Sequence, residues 1–145
     1  MFTNPISQRI YLKALSNGMP ELLARFITGQ AYHESGQYKG KFATKYNSYF
    51  GYSFDKNSKW QSAPGSLADN GAKIAGYASL EDSVSEMTDW IKRRVKQKRF
   101  PDLGTITTPL MYAQYLYKCG YFQGWKKYTP EQNISFYAKG IESVH

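Results

Sequence analysis

The sequence predicts a mainly α-helical, α+β fold, with about five helices around one small β-hairpin lobe. Three observations carry that expectation. Apolar residues recur at helical spacing in five stretches. Several of those stretches open on a capping signal. Between Gly36 and Gly76 the helical spacing lapses, and Gly, Ser, Asn and Lys dominate. At 145 residues the chain is expected to form a single domain, residues 1–145, with the β-lobe at about 47–77.

Asn4-Pro5 reads as an N-cap followed by proline at the first helical position. Ile6, Ile10, Ala14 and Leu15 then line one stripe, and Gly18 ends it. Pro20 opens a second helix, in which Leu22, Leu23, Phe26, Ile27 and Ala31 share a face until Gly36. In the next region "SYFGYSF", "DKNS" and "KWQ" read as strand, turn and strand, and "AKIAGY" as a further strand. Ser79, with Asp82 three residues on, approximates a capping box for a fourth segment striped by Val84, Met87, Ile91 and Val95. Its acids lie at the front and its basic run "KRRVKQKR" at the back, which complements the helix dipole. Thr108-Pro109 starts a helix that buries Leu110, Ala113, Leu116 and Tyr117. Finally "TPEQ", from Thr129 to Gln132, is a capping box for a last helix through Ile134, Tyr137, Ala138 and Ile141.

Composition narrows the chemistry. Aromatics make up 17% of residues and include 13 Tyr, a side chain with a flat apolar face and a hydroxyl that suits sugar stacking as well as core packing. The formal charge of +8 and pI near 9.5 draw the chain toward polyanions: nucleic acid, anionic membrane or anionic cell wall. Cys119 is the single cysteine, which excludes an internal disulfide and a multi-cysteine zinc site, and with two His no His-rich metal site forms. No metal or cofactor is expected. The N-terminus has no apolar core of a signal peptide, and no run approaches the ~18 apolar residues of a membrane span. No nucleic-acid motif accompanies the basic residues.

Glu34 is the residue on which chemistry converges. Helical spacing sets it beside the apolar face in the last turn of the second helix. Partial burial and the negative end of the helix dipole both disfavour its charged form. Both effects raise its pKa, as a general acid working near neutral pH requires.

Glu34-Ser35-Gly36, followed by "YNSYFGY", resembles the E-S-G … N-x-x-F-G-I pattern of the lysozyme-like glucosaminidases, glycoside hydrolase family 73. Asn47, Phe50, Gly51 and Tyr52 stand at the matching places, with Tyr for the usual Ile. "DNGAKIAGYASLEDSV" is similar to that family's N-G … A-x-F-R-x-Y-x-S-x-x-x-S-I segment through Asn70, Gly71, Ala72, Ile74, Tyr77, Ser79, Ser83 and Val84. "YAQYLYKCGYFQG" resembles its A-x-x-L-x-x-x-G-Y-A segment through Ala113, Leu116, Gly120 and Tyr121. The similarity spans roughly residues 20–142.

The resemblance implies a lysozyme-like fold and a peptidoglycan hydrolase that cuts the β-1,4-linked GlcNAc/MurNAc backbone with Glu34 as general acid. The family often supplies a second carboxylate before the N-G turn, which points to Asp69; Asp55 reads better as a turn residue. Tyr121 is a further catalytic candidate, and Asn47, Phe50, Tyr77 and Tyr121 are candidates for substrate binding. The implied partner is the peptidoglycan glycan strand, with no nucleic acid, no membrane insertion, and a monomer unless the chain is part of a virion. The implied setting is a phage endolysin released through a holin, or a virion-associated lysin. Alternatives are a muramidase or lytic transglycosylase of the same fold, or an inactive virion or wall-binding protein.

Overall fold

The computed structural model describes residues 2–67 and 73–145. The five expected helices are all present: α1 (Pro5–Ser16), α2 (Glu21–Glu34), α4 (Leu80–Lys96), α5 (Pro109–Lys118) and α6 (Pro130–Glu142). A sixth, α3 (Lys41–Tyr46), was not expected, and a single 3-10 turn spans Leu103–Thr105. The capping chemistry is as the sequence suggests. The Asn4 side chain accepts from the Ile6 and Ser7 amides, Ser79 from Asp82, and Thr108 from Met111. Thr129 and Gln132 form the complete reciprocal box.

α2 is the central helix. Leu23, Ala24 and every residue from Phe26 to Tyr32 are buried, a pattern wider than one amphipathic stripe. It packs on α1 along one side and on α6 along another, while α5 closes onto α6 and α4 onto α1. The α2–α6 approach is close because Gly29 has no side chain: a Cβ there would lie 2.9 Å from the Ile141 carbonyl carbon, inside contact distance. Two buried polar groups in this core satisfy each other, the Tyr112 hydroxyl donating to the Gln30 side-chain oxygen.

The β-lobe differs in detail from expectation. Its sheet has two antiparallel strands, β1 (Ala63–Leu67) and β2 (Lys73–Gly76), with irregular register between Pro64 and Leu67. β2 is the expected strand within "AKIAGY". "SYFGYSF" forms no strand; only Ser53 bridges, to Ile74. "KWQ" is likewise irregular, and β1 occupies "APGSL", whose proline and glycine argue against a strand in sequence. "DKNS" is the expected turn, its Asp55 accepting from the Asn57 amide through Oδ1 (2.9 Å) and from the Ser58 amide through its carbonyl (3.0 Å).

The lobe is fastened to α4 chiefly through one carboxylate. Buried Glu86 accepts from the Tyr77 and Ser58 hydroxyls and from the Gln61 side-chain amide (2.9 Å). Trp60 adds a bond from its indole N–H to Asp89 (2.6 Å). Among the described residues, no helix is long and apolar enough to cross a membrane.

Candidate active site

Glu34 is the last residue of α2, and the chain leaves the helix there by a sharp left-handed path. Gly36, Gln37 and Tyr38 all have positive φ, near 60°, 60° and 67°. For Gln37 and Tyr38 this conformation is costly, so other contacts must impose it. They do. The Gln37 amide bonds to the Tyr32 carbonyl (2.8 Å), the Tyr38 amide to Ser35 Oγ (3.0 Å), and the Gly40 amide to the Ser35 carbonyl (3.0 Å). The Tyr38 ring is buried and its hydroxyl meets Ser7 Oγ on α1 at 2.8 Å. The turn that carries Glu34 is thus bolted to the helical core.

The Glu34 side chain reaches solvent while protein surrounds its carboxyl on most sides, which is the floor of an open cleft. One pocket beside it, of about 170 Å³, is lined by Glu34, Gly40, Phe42, Ala43, Ser48 and Gly51 among others. At Gly51, next to Ser48 in the same pocket, the lobe presents bare backbone to Glu34. A Cβ on Gly51 would lie 3.6 Å from Glu34 Oε2, and the Gly51 φ of +73° favours glycine there. Desolvation raises the Glu34 pKa above the usual carboxylate value, and the Tyr137 hydroxyl partly offsets that rise. The carboxyl therefore holds its proton to a higher pH than an exposed Glu.

Tyr137, on α6, is the other polar group at this floor. Its ring is buried, stacks on Phe122 (centroids 4.0 Å, 7° between planes), and receives the edge of His33 at 4.9 Å. His33 itself fits where Gly140 lacks a side chain, since a Cβ there would come within 2.7 Å of the imidazole. The Tyr137 hydroxyl lies near Glu34 and Gln30 but makes no close hydrogen bond, a buried polar atom without a partner. Burial and the Glu34 charge push its pKa far up, so it stays a neutral donor. Desolvation also lowers the His33 pKa, favouring the neutral ring.

The residues singled out in the sequence are distributed unevenly. Tyr121 is close enough for the Glu34 charge to act on it, and its hydroxyl donates to the Phe50 carbonyl, stitching the segment after α5 to the lobe. Phe50 is a core residue, 2% exposed. Asn47 caps α3 in the left-handed region and donates from Nδ2 to the Tyr77 carbonyl (3.1 Å). Tyr77 is buried, with its hydroxyl on Glu86 rather than turned to Glu34. Asp69, with Asn70 and Gly71, lies outside the described residues. Among the described residues, no second carboxylate lines the pockets that adjoin Glu34.

Two contributors went unnoticed in the sequence. Tyr137 is 103 positions from Glu34 and reads there as one more inward residue of an amphipathic helix. Glu86 reads as one of several acids at the front of α4.

A helical body, a small lobe leaning on it and a partly desolvated glutamate beside the lobe are an arrangement that suits a carboxylate-based glycoside hydrolase. A family model described as Glucosaminidase (mannosyl-glycoprotein endo-beta-N-acetylglucosaminidase) matches residues 15–144, and the chain belongs to that family. No curated protein sequence matches it. Solved structures share its fold at low identity. A peptidoglycan hydrolase from Sphingomonas sp. A1 is 19% identical, covering 96% of this chain and 83% of its own, with a TM-score of 0.66. A mutant of a peptidoglycan hydrolase from that organism is 21% identical, covering 96% and 88%, with a TM-score of 0.58. A type VI secretion system effector-immunity complex from Pseudomonas protegens contains a chain 18% identical, covering 94% and 89%, with a TM-score of 0.63.

Proposed function

We propose that this glycoside hydrolase cleaves the β-1,4-linked GlcNAc/MurNAc backbone of peptidoglycan as an endo-β-N-acetylglucosaminidase, with Glu34 as the general acid. The observation that carries the reading is the Glu34 carboxyl itself, desolvated at a cleft floor with a raised pKa and backed by the partnerless Tyr137 hydroxyl. Solved structures of the same fold described as peptidoglycan hydrolases, and the chain's net charge of +8, support the substrate class. A basic hydrolase is steered to a wall rich in carboxylates.

In this mechanism protonated Glu34 donates to the glycosidic oxygen as the bond breaks through an oxocarbenium-like state. Tyr137, held neutral, donates to the carboxylate that remains. Asp69 is the proposed second carboxylate, either as nucleophile at about 5 Å from Glu34 or as base through water at roughly 6.5–9.5 Å. Tyr121 holds the lobe against the helices at the cleft. The proposed setting is phage lysis of a bacterial host, as an endolysin or a virion-associated lysin.

Digestion of purified peptidoglycan followed by mass spectrometry tests the bond specificity. New reducing GlcNAc ends are expected. Reducing MurNAc ends would make the chain a muramidase, and anhydro-MurNAc ends a lytic transglycosylase. A zymogram of wild type beside Glu34→Gln tests the acid: equal clearing by both, or clearing by neither, overturns the proposal.

A further inference from the structure

Apart from the pocket beside Gly51, a groove of about 520 Å³ opens at His33, the residue next to Glu34 in the chain. It begins at His33 and Tyr137, the two residues that back the acid, and runs out along the start of α6 over Phe136, Tyr128 and Trp125. Trp125 is 70% exposed, the most exposed of the large apolar side chains on the molecule's described surface. With Tyr128 and the exposed Phe136 in the same groove, it forms a contiguous apolar face, the kind of surface that marks a binding site.

The loop that presents Trp125 is nevertheless firmly built. Asn133, only 6% exposed, accepts from the Trp125 amide (2.9 Å) and donates to the Trp125 carbonyl (3.0 Å). Its remaining donor direction faces the Tyr128 carbonyl at 3.5 Å. Gly124, with φ of +74°, lets the backbone press onto Asn133, because a Cβ there would lie 2.7 Å from the Asn133 Cβ. The Lys127 ammonium lies over the Tyr128 ring, 5.1 Å from its centroid, and 6.0 Å from the centroid of the Trp125 ring. Among the described residues it has no acidic partner.

A rigid exposed indole, a second aromatic, and an unpaired cation held between them form a receptor for a flat-faced ring that carries a carboxylate. We propose that this groove is a glycan subsite in which an aminosugar ring stacks on Trp125 while its carboxylate pairs with Lys127, so that it selects muramic-acid-type units of the strand whose neighbouring bond lies at Glu34. The inference rests on the glycan-hydrolase reading for its ligand class. His33, the chain neighbour of Glu34, and Tyr137, whose hydroxyl lies near Glu34, both line the groove and so set its occupant beside the acid, and Lys127 specifies the occupant's charge.

The test uses the full chain carrying Glu34→Gln, so that ligand survives, with calorimetry and Trp fluorescence. Two probes are compared: a neutral β-1,4-linked GlcNAc hexamer, and peptide-free strand fragments of alternating GlcNAc and MurNAc. The fragments are expected to bind more tightly, with a blue shift of emission. Adding Trp125→Ala should weaken both probes about tenfold, the scale of one lost stacking contact. Trp125→Tyr should restore most of that, and Lys127→Met should erase the preference for the fragments. Unchanged binding in Trp125→Ala overturns the stacking platform, and equal binding of the two probes by the parent overturns the carboxylate assignment. If wild type clears peptidoglycan while Trp125→Ala binds normally, the subsite falls and the hydrolase reading stands. Trp125-dependent binding without clearing has the reverse meaning.

Discussion

The two sides of the Glu34 cleft are held by different physics. The helical side is apolar and close-packed: α2 is buried over most of its circumference, and Gly29 and Gly140 bring α6 within backbone distance of it. The lobe seats Tyr49 and Phe50 in the core, but its tie to α4 is polar, with three bonds that converge on Glu86. The acid belongs to the first side and the surface facing it to the second. Position of the acid is therefore fixed by packing, whereas the cleft opposite depends on a hydrogen-bonded network that one substitution can dismantle.

Glu34→Gln should give the largest effect, a loss of about 10²–10⁴ in turnover, the usual worth of a general acid, with the fold retained by circular dichroism. Gly29→Ala attacks the packed side. Its Cβ meets the Ile141 backbone, which cannot rotate away, so a stability loss of roughly 3 kcal/mol is expected in denaturant titration. A mild loss, under about 1 kcal/mol, would mean that the α2–α6 contact is looser than the geometry implies.

Glu86→Ala attacks the other side. It strands the buried Tyr77 hydroxyl and removes one partner each from Ser58 and Gln61, and a cost of about 1–3 kcal/mol follows from leaving such a buried group unpaired. Hydrogen exchange should speed up in residues 53–61 and 73–77 while α2 stays protected. Uniform acceleration across the molecule would erase the distinction between the two sides.

The smallest effect concerns pH. The Glu34 pKa is raised in the folded state above its ordinary 4.5. Such a group contributes stability that is fully present below 4.5 and is lost as pH rises through the folded value. Wild type should thus lose stability relative to Glu34→Gln as pH climbs from 4.5 toward neutrality, and thermal midpoints of the pair across that range would show it. Activity should fall on the same side, as the acid surrenders its proton. A constant difference between the two proteins would place Glu34 in water rather than on a desolvated floor.

The helices were legible because each announces itself locally. Asn4-Pro5, Ser79, Thr108-Pro109 and Thr129 with Gln132 are capping chemistry read directly from neighbouring residues. α3 escaped notice because "KFATKY" is under two turns long and leaves no period to detect. β1 was masked by its own Pro64 and Gly65, and "SYFGYSF" has strand composition but meets β2 only around Ser53. Glu34 could be singled out as the proposed acid because helix position, burial and the Ser-Gly that follows coincide within three residues. Tyr137, Glu86 and Trp125 could not, since each acquires its meaning from segments far away in the chain. Tyr77 shows the reverse: a tyrosine that suits a sugar site by type is placed by its buried bond to Glu86 in the framework instead.

At Gly51 the lobe meets the acid with main chain alone. A side chain can change rotamer and thereby widen or narrow a gap; a peptide backbone cannot do so without moving the segment that carries it. The clearance at Glu34 is therefore set by where the lobe as a whole is held, and a methyl group at position 51, strained at a φ of +73°, would alter it only by shifting that segment.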